Sequence, residues 1–217
     1  MTKDSFVQNE FSIRPAKETD ATFAGRLLFA TFPRKASFIL GLGDEKRAKG
    51  ILTKLFPLPD HRLSMTYAHI AMYQGRKVGI MLTFPGRDIG RLDWKFYRHL
   101  LGQYGFRGKI AIIQRGLPLI FMKECAPDEY FLSNIALKRQ MRGLGMGSRL
   151  LAFVEAQARQ AGYHKVSLRV AIDNLDAKRF YQRHHYATKA IDLESNKRVS
   201  VLGPGYQSMV KELRNDD

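Results

Sequence analysis

A glycine-rich segment about two thirds of the way along the chain constrains the fold more than any other feature. Residues Phe131 to Leu137 before it are apolar enough for a buried strand. After it, apolar residues recur at helical spacing up to a stop at Gly162, namely Leu150, Leu151, Val154, Ala158 and Ala161. The pattern predicts a strand, a glycine-rich turn over Arg142 to Ser148 and an amphipathic helix in direct succession.

The predicted turn has the chemistry of an anion-binding site. Backbone N–H groups at a helix start have no intrahelical partner, and the helix dipole adds partial positive charge there. Such a turn suits a phosphate or a diphosphate, and glycines let a ligand approach the backbone closely. Glycine-rich turns also serve purely structural roles. The segment lacks the Gly-Lys-Ser/Thr ending of nucleoside triphosphate loops, and it lies too late in the chain for a dinucleotide-binding motif.

A further strand and helix follow. Apolar and polar residues alternate from Lys165 to Val170 and predict a strand, after which Asp173-Asn174 offers an N-cap. One face of the short helix that this cap begins carries Ala177, Phe180, Tyr181 and His184.

This part of the chain resembles the GNAT superfamily of acetyl-CoA-dependent N-acetyltransferases, strongly over residues 130 to 190. The resemblance rests on three motifs, namely Ile135-Ala136-Leu137, Arg142-x-x-Gly145-x-Gly147 and Asn174-x-x-Ala177-x-x-Phe180-Tyr181. It extends weakly to Ile13-Arg14-Pro15-Ala16 with Asp20 and to Met209 through Leu213, which are similar to the family's first and last strands. The chain departs from the family at His185-Tyr186, where Gly-Phe is common, and at Arg169, where some members carry a glutamate that assists proton removal.

The resemblance and the order of elements imply an α/β fold of the α+β type, with a mixed twisted sheet and helices on both faces. Strands are predicted at Phe11–Arg14, Tyr67–Tyr73, Lys77–Phe84, Ala187–Leu193 and Tyr206–Leu213, in addition to the two above. Helices are predicted at Asp20–Phe32 and Asp44–Leu55, and a loop at Ser195–Gly205. At 217 residues and 45% hydrophobic composition, we expect one domain over residues 1–217.

Acetyl-CoA is the cosubstrate that the resemblance implies. The backbone of Ile135, Ala136 and Leu137 would hold the pantetheine arm and the acetyl carbonyl. The diphosphate would lie on the backbone of Gly143, Leu144, Gly145, Met146, Gly147 and Ser148, with Arg142 beside it. Asn174 would bond the pantetheine arm, although its role as an N-cap is equally well supported.

Two residues are candidates for the catalytic chemistry. Tyr181 falls on the position of the family's thiolate-protonating tyrosine, and with an ordinary pKa near 10 it stays protonated at neutral pH. Glu129 is the candidate base, because an alkylammonium acceptor must lose a proton to a carboxylate or a water chain. Asp128 beside it is the other near candidate in sequence, with Glu124 and Tyr130 behind these two. No metal-ligand spacing accompanies the histidines, so we expect no metal.

The net charge of +16 is larger than an anionic cofactor needs. Residues 86–123 carry eight Lys or Arg against two acids, and they predict a basic helical insertion. Its apolar stripe comprises Ile89, Leu92, Phe96, Tyr97, Leu100, Leu101 and Tyr104, then Ile110, Ile113 and Leu117. The insertion is interpreted as a helix pair that covers the sheet, with a lid over the acceptor, a nucleic-acid surface and a membrane-surface helix as alternatives.

The single Cys125, the lack of an N-terminal signal pattern and the lack of an apolar stretch near 18 residues favour a soluble cytoplasmic protein. The function predicted is transfer of an acetyl group from acetyl-CoA to a primary amine by direct attack in a ternary complex. Two alternatives stay open: a basic GNAT-fold module that binds nucleic acid or the ribosome, and an acyltransferase that uses longer acyl-CoAs. The sequence does not identify the acceptor amine or the oligomeric state, for which a homodimer is one option.

Overall fold

A mixed seven-stranded sheet forms the centre of the fold, as the sequence predicts. The structure, a computed structural model, describes residues 10–116, 124–193 and 202–213. Its strands are β1 (Phe11–Pro15), β2 (Ala68–Tyr73), β3 (Arg76–Pro85), β4 (Tyr130–Leu137), β5 (Lys165–Ala171), β6 (Ala187–Leu193) and β7 (Gly205–Glu212). The strand order is β1-β2-β3-β4-β5-β7-β6, and every neighbouring pair is antiparallel except β4 with β5, which is parallel.

Six helices of eight or more residues accompany the sheet within the described ranges. They are α1 (Ala21–Thr31), α2 (Glu45–Leu55), α3 (Ile89–Gly102), α4 (Phe106–Gly116), α5 (Met146–Gln160) and α6 (Leu175–Arg183). Between α1 and α2 lie a short helical turn (Pro33–Lys35) and a π-helical turn (Ala36–Leu40). The predicted cap of α6 forms, because the Asn174 side chain accepts a hydrogen bond from the backbone N–H of Ala177. At the start of α2 the Asp44 side chain accepts from the backbone N–H of Arg47 in the same way.

The sheet is buried on both faces by different helices. On one face α1, α2 and α3 pack over β2 and β3, with Leu28, Leu52, Ile80 and Leu100 in the core. On the other face α5 and α6 pack over β3, β4 and β5, and their core includes Met81, Leu150, Val154 and Leu168. Helices on both faces of a mixed sheet are the predicted architecture.

A buried carboxylate joins the start of α1 to the sheet. The Asp20 side chain is fully buried and accepts two hydrogen bonds from Arg14, at 2.8 and 2.9 Å. It also pairs with Lys77 Nζ at 2.6 Å and accepts the Lys17 backbone N–H at 2.8 Å. Asp20 therefore holds β1, β3 and α1 together.

The insertion forms two helices, and its predicted apolar stripe is correct in α3 but wrong in α4. Leu92, Phe96 and Leu100 of α3 are buried. In α4 the buried isoleucine is Ile112, whereas Ile110 and Ile113 are 41% and 53% exposed. The chain ends one helix at Gly102 and begins another at Phe106, so the helical phase of α3 does not continue into α4.

Two parts of the predicted elements lie outside the described residues. These are the end of the insertion, residues 117–123 with Leu117, and residues 195–201 of the predicted loop before β7. Among the residues that are described, no helix is both long enough and apolar enough to cross a bilayer.

Candidate active site

The sheet opens between its two parallel strands. Strands β4 and β5 pair only from Tyr130 with Val166 to Leu132 with Leu168. On the other side of β4, Leu82 pairs with Asn134 and Thr83 with Leu132, so Ser133 has no partner and forms a β-bulge. A bulge bends its strand and increases the local twist. The bulge explains why β4 turns away from β5 directly after Leu132.

A cavity of about 990 Å³ fills this opening. Its walls are the diverging ends of β4 and β5, the end of α1 with the helical turns after it, the beginnings of α5 and α6, and one side of α3. Its size is that of a site for a cofactor or a substrate of several hundred daltons. Alternate residues of β4 beyond Leu132 direct their backbone N–H and C=O groups away from β3 and toward this space.

The glycine-rich turn is found where the sequence predicts it. Gly143 and Gly145 have φ values of 76° and 73°, in the left-handed region that favours glycine, and Gly145 is the N-cap of α5. The helix's first backbone hydrogen bond runs from Arg149 N–H to the Gly145 carbonyl, at 3.3 Å. The N–H groups of residues 146–148 precede that bond and so lack an intrahelical acceptor.

The cavity brings together ten of the residues predicted for the cofactor, which are Ile135, Ala136, Leu137, Arg142, Gly143, Gly145, Gly147, Ser148, Asn174 and Tyr181. Two others have side chains that face elsewhere. The Leu144 side chain is half exposed, and the Met146 side chain is buried in the core under α5. These two residues can contribute to the cavity only through their backbone.

Helices α5 and α6 meet closely beside the turn. A Cβ atom at Gly147 would lie 3.1 Å from the Phe180 ring, so a larger residue there would require that ring to shift. Ser148 Oγ and His184 Nε2 are 2.9 Å apart and share a hydrogen bond. Burial lowers the pKa of His184, which favours the neutral imidazole at this contact.

Tyr181 lies on the cavity wall with its ring in the core. It is 8% exposed and packs against Phe180 and Tyr186, with ring centroids 5.4 and 5.9 Å away. Its hydroxyl forms no hydrogen bond with any residue in the described ranges, and burial raises its pKa. The phenol is therefore protonated at neutral pH and available as a donor.

Glu129 is buried away from the cavity. Its carboxylate pairs with Lys189 and accepts the Ala126 backbone N–H at 2.9 Å. Burial acts to raise the pKa of Glu129, but these hydrogen bonds hold it below its ordinary value. The structure does not bring Glu129 together with Tyr181, and Asp128 is an exposed partner of Lys165.

The sequence analysis missed a group of charged residues on the cavity wall, which we call the charged cluster: Lys35, Arg62, Asp93, Glu124 and Arg169. Arg62 binds Asp93 at 2.8 Å with one guanidinium nitrogen and Glu124 with the other. Burial raises the pKa of Asp93. Burial also acts to raise that of Glu124, but the cations Arg62 and Lys35 outweigh it and lower the pKa to about 2. Both carboxylates are thus held by one guanidinium.

No sequence signal identifies the charged cluster, because its members come from five separate segments. The sequence singled out only two of its members, Arg169 as a departure from the glutamate of some relatives and Glu124 as a lesser candidate base.

Solved structures of acetyltransferases share the fold that these elements build. One is described as an acetyltransferase, with 22% identity, a TM-score of 0.69 and coverage of 94% of this chain and 100% of its own.

A second is an N-acetyltransferase from Staphylococcus aureus Mu50, with 18% identity and a TM-score of 0.70 over 92% of this chain and 100% of its own. A third, Naa50 from Arabidopsis thaliana in complex with the bisubstrate analogue CoA-Ac-MVNAL, has 12% identity and a TM-score of 0.52 over 94% and 99% of the two chains. A search of curated proteins finds no match. The fold is therefore that of an acetyltransferase.

The sequence places the chain within that class. The sequence model of the acetyltransferase (GNAT) family matches residues 59–186, which is more than half of the chain, and the protein belongs to this family. The matched region runs from the segment between α2 and β2 to Tyr186, so it includes β4, the glycine-rich turn and α6.

Proposed function

We propose that the protein is an N-acetyltransferase that moves an acetyl group from acetyl-CoA to a primary amine. The observation that carries this proposal is a single cavity that joins the glycine-rich turn, the unpaired edge of β4 and Tyr181. An anionic cofactor and an amine can meet in such a space. The complex of Naa50 with a CoA-linked peptide, in a solved structure of the same fold, supports the proposal.

The cofactor would lie along the opening in the sheet. Its diphosphate would accept hydrogen bonds from the N–H groups at the start of α5, with Arg142 as a nearby cation. The pantetheine arm would pair with the backbone of Ile135, Ala136 and Leu137. Because the Asn174 side-chain oxygen already caps α6, at 3.2 Å from Ala177 N, its amide nitrogen is the group that could donate to the arm.

The chemistry then needs few groups from the protein. The amine nitrogen attacks the thioester carbon, a backbone N–H of β4 stabilises the negative oxygen, and the carbon–sulfur bond breaks. The Tyr181 hydroxyl gives its proton to the departing thiolate. Four carboxylates line the cavity: Arg62 holds Asp93 and Glu124, Arg34 pairs with Asp173 at 2.6 Å, and Asp176 is exposed at the start of α6. Since Glu129 lies outside the cavity, we assign removal of the amine proton to water in the cavity.

A thiol-release assay with acetyl-CoA over a broad panel of amines tests the proposal, together with calorimetric titration of CoA. We expect CoA binding and amine-dependent thiol release. Neither heat nor thiol release at millimolar acetyl-CoA would contradict the enzyme assignment. Butyryl-CoA in the same assay distinguishes an acetyltransferase from an enzyme for longer acyl groups.

Nucleic-acid binding is a second candidate function, favoured by the outer surface of the insertion. In α3 and α4 the exposed charged residues are Arg91, Arg98, Arg107 and Lys109, and the one acid of these helices, Asp93, faces the cavity. Binding to phosphates along a nucleic acid would weaken steeply with salt. Fluorescence anisotropy with RNA and DNA oligonucleotides at 50 and 200 mM salt measures this, and no binding at 50 mM would exclude it.

A further inference from the structure

Arg169 is a buried cation with unused hydrogen-bonding capacity in the wall of the cavity. Its side chain is only 8% exposed, stacks over the Tyr206 ring at 5.1 Å and donates from Nη2 to Asp192 at 2.7 Å. Its buried Nε finds no acceptor among the described residues. A guanidinium has five N–H donors in a planar fork, and a buried donor without a partner is costly. The arrangement is suited to a planar acceptor group that enters from the cavity.

Lys35 is a second cation of the cavity with weak pairing. Its nearest acid is Glu124, whose Oε1 lies 3.7 Å from Lys35 Nζ, beyond hydrogen-bond distance. Burial lowers the pKa of Lys35; Glu124 opposes this change, and Arg62 and Arg169 add to it. Lys35 and Arg169 are therefore close enough to repel each other electrostatically.

The two acids of the charged cluster are hydrogen-bonded to Arg62 and not to Lys35 or Arg169. Each guanidinium nitrogen of Arg62 that faces the cluster is bound to one carboxylate, Asp93 or Glu124. Glu124 is shared between Arg62 and Lys35. The cluster has three cations and two anions, and Asp192 supplies a third anion through its pair with Arg169. What the cluster leaves unused are hydrogen-bond donors, because Arg169 Nε and Lys35 Nζ have no acceptor among the described residues.

We propose that the acceptor amine carries an oxyanion group, a carboxylate or a phosphate, that is bound between Arg169 and Lys35. This inference rests on the proposed function, since it names the chemical class of that enzyme's second substrate. Arg169 lies one residue beyond the last β4–β5 pair, where the sheet opens. An acceptor anchored there by its oxyanion would place its amine in the same cavity as β4 and Tyr181. The acceptor class is therefore acidic amines, such as amino acids or phosphoamines, rather than polyamines.

Matched pairs of amines test the proposal on the wild-type protein. Glycine is compared with glycinamide, β-alanine with its amide, and O-phosphoethanolamine with ethanolamine. Rates are expressed per neutral amine, because the pKa of the amine differs within each pair. We expect kcat/KM to be at least about tenfold higher for the anionic member of each pair, because one charge-assisted hydrogen bond contributes about that factor. The carboxylate and phosphate pairs show which oxyanion is preferred, and no preference in any pair would overturn the proposal.

Variants connect the preference to the two cations. In Arg169→Gln and Lys35→Gln we expect the preference to fall about tenfold, with the KM for acetyl-CoA unchanged. Asp192→Asn removes the ion pair of Arg169 but keeps the guanidinium, and it should retain the preference. Arg98→Gln removes an exposed cation from the outer side of α3 and serves as the matched control. An unchanged preference in both cavity variants would overturn the assignment.

Binding without turnover separates this inference from the proposed function. Calorimetry with N-acetylglycine and N-acetylglycinamide on the protein saturated with CoA needs no catalysis. Tighter binding of the acid that is lost in Arg169→Gln supports the oxyanion site even if no amine is acetylated. Equal binding of the two compounds would contradict the site even if amines without an acidic group are acetylated.

Discussion

At the residue scale, the Tyr181 hydroxyl is the group on which the proposed chemistry depends most directly. Tyr181→Phe removes the proton donor and keeps the ring in its packing, so we expect kcat to fall by about 100-fold while CoA affinity is nearly unchanged. Steady-state kinetics and calorimetric titration of CoA measure the two effects.

Tyr163 offers a matched control for that variant. It is as buried as Tyr181, at 8% exposure, and its hydroxyl lacks a partner among the described residues, but it lines a different pocket. Tyr163→Phe should leave kcat unchanged. Equal rates for the wild type and Tyr181→Phe would remove Tyr181 from the mechanism.

Asp20 is the residue that connects stability to acid pH. Hydrogen bonds from Arg14 and the Lys77 pair keep the pKa of Asp20 below its ordinary value despite burial. A carboxylate with a lowered folded-state pKa contributes stability that is fully present above its unfolded value, near 4, and is lost as the pH falls below it. Asp20→Asn should therefore cost about 2 kcal/mol at pH 7, since it leaves two cations unpaired.

Urea unfolding at pH 7 and pH 3 measures this difference, which should be smaller at pH 3. Asp128→Asn is the control, because Asp128 and its partner Lys165 are 65% and 40% exposed and their pairing adds little stability. A loss at pH 7 in Asp20→Asn no larger than in this control would contradict the role of Asp20.

At the scale of elements, the glycine-rich turn at the start of α5 makes a separable prediction. Gly145→Asp adds a negative charge and a side chain at a left-handed position of the proposed diphosphate site, so CoA binding should be lost. Gly75→Asp is a matched control in the turn between β2 and β3. Gly75 has a similar φ of 68° and equal open space, so its variant carries the same backbone strain. Calorimetric titration measures the CoA affinity of both variants, and wild-type affinity in Gly145→Asp would contradict the proposed diphosphate site.

The close packing of α1 against α2 depends on the absence of a side chain at Gly25. A Cβ atom at Gly25 would lie 3.0 Å from the Thr53 backbone nitrogen, closer than the helices allow. Gly25→Ala should therefore destabilise the fold, by about 1 to 3 kcal/mol. Gly50 lies in α2 with nothing within 4 Å of its Cβ position, so Gly50→Ala should stabilise by about 0.5 to 1 kcal/mol. Thermal unfolding measures both, and effects of the same sign would contradict this account of the crossing.

The elements of this fold are predictable from the sequence where local signals determine them. Periodicity and caps identify the strand, turn and helix from Tyr130 to Gln160, and the Gln74-Gly75 turn identifies the hairpin of β2 and β3. His185 takes a left-handed φ of 65°, a conformation that favours glycine, which is the residue that the family resemblance leads one to expect at this position.

The charged cluster could not be predicted in this way. Lys35, Arg62 and Asp93 lie far apart in sequence, and only the packing of the helical turns and α3 over the sheet brings them together. Glu129 shows the opposite effect. Its place before β4 indicated the site, but tertiary contacts pair it with Lys189 on β6 instead.

At the scale of the whole molecule, the net charge favours the same anionic substrates that we propose for the cavity. The net charge of +16 attracts anions over distances comparable to the Debye length, and it raises their encounter rate. Coenzyme A and an acceptor with an oxyanion are both anionic, so both proposed substrates would be drawn to the same protein. A polyamine would be repelled.

Because β4 and β5 pair over only a short length, the sheet consists of two halves, and we call the paired stretch between them the seam. Only three residue pairs join β1-β2-β3-β4 to β5-β7-β6 across it. A pantetheine arm bound along the exposed edge of β4 would stabilise both halves against local opening, because opening of either half would then break ligand contacts as well. Hydrogen–deuterium exchange should therefore slow at the backbone amides of residues 133–137 and 169–171 when CoA is added, and that of α2, remote from the seam, should change least.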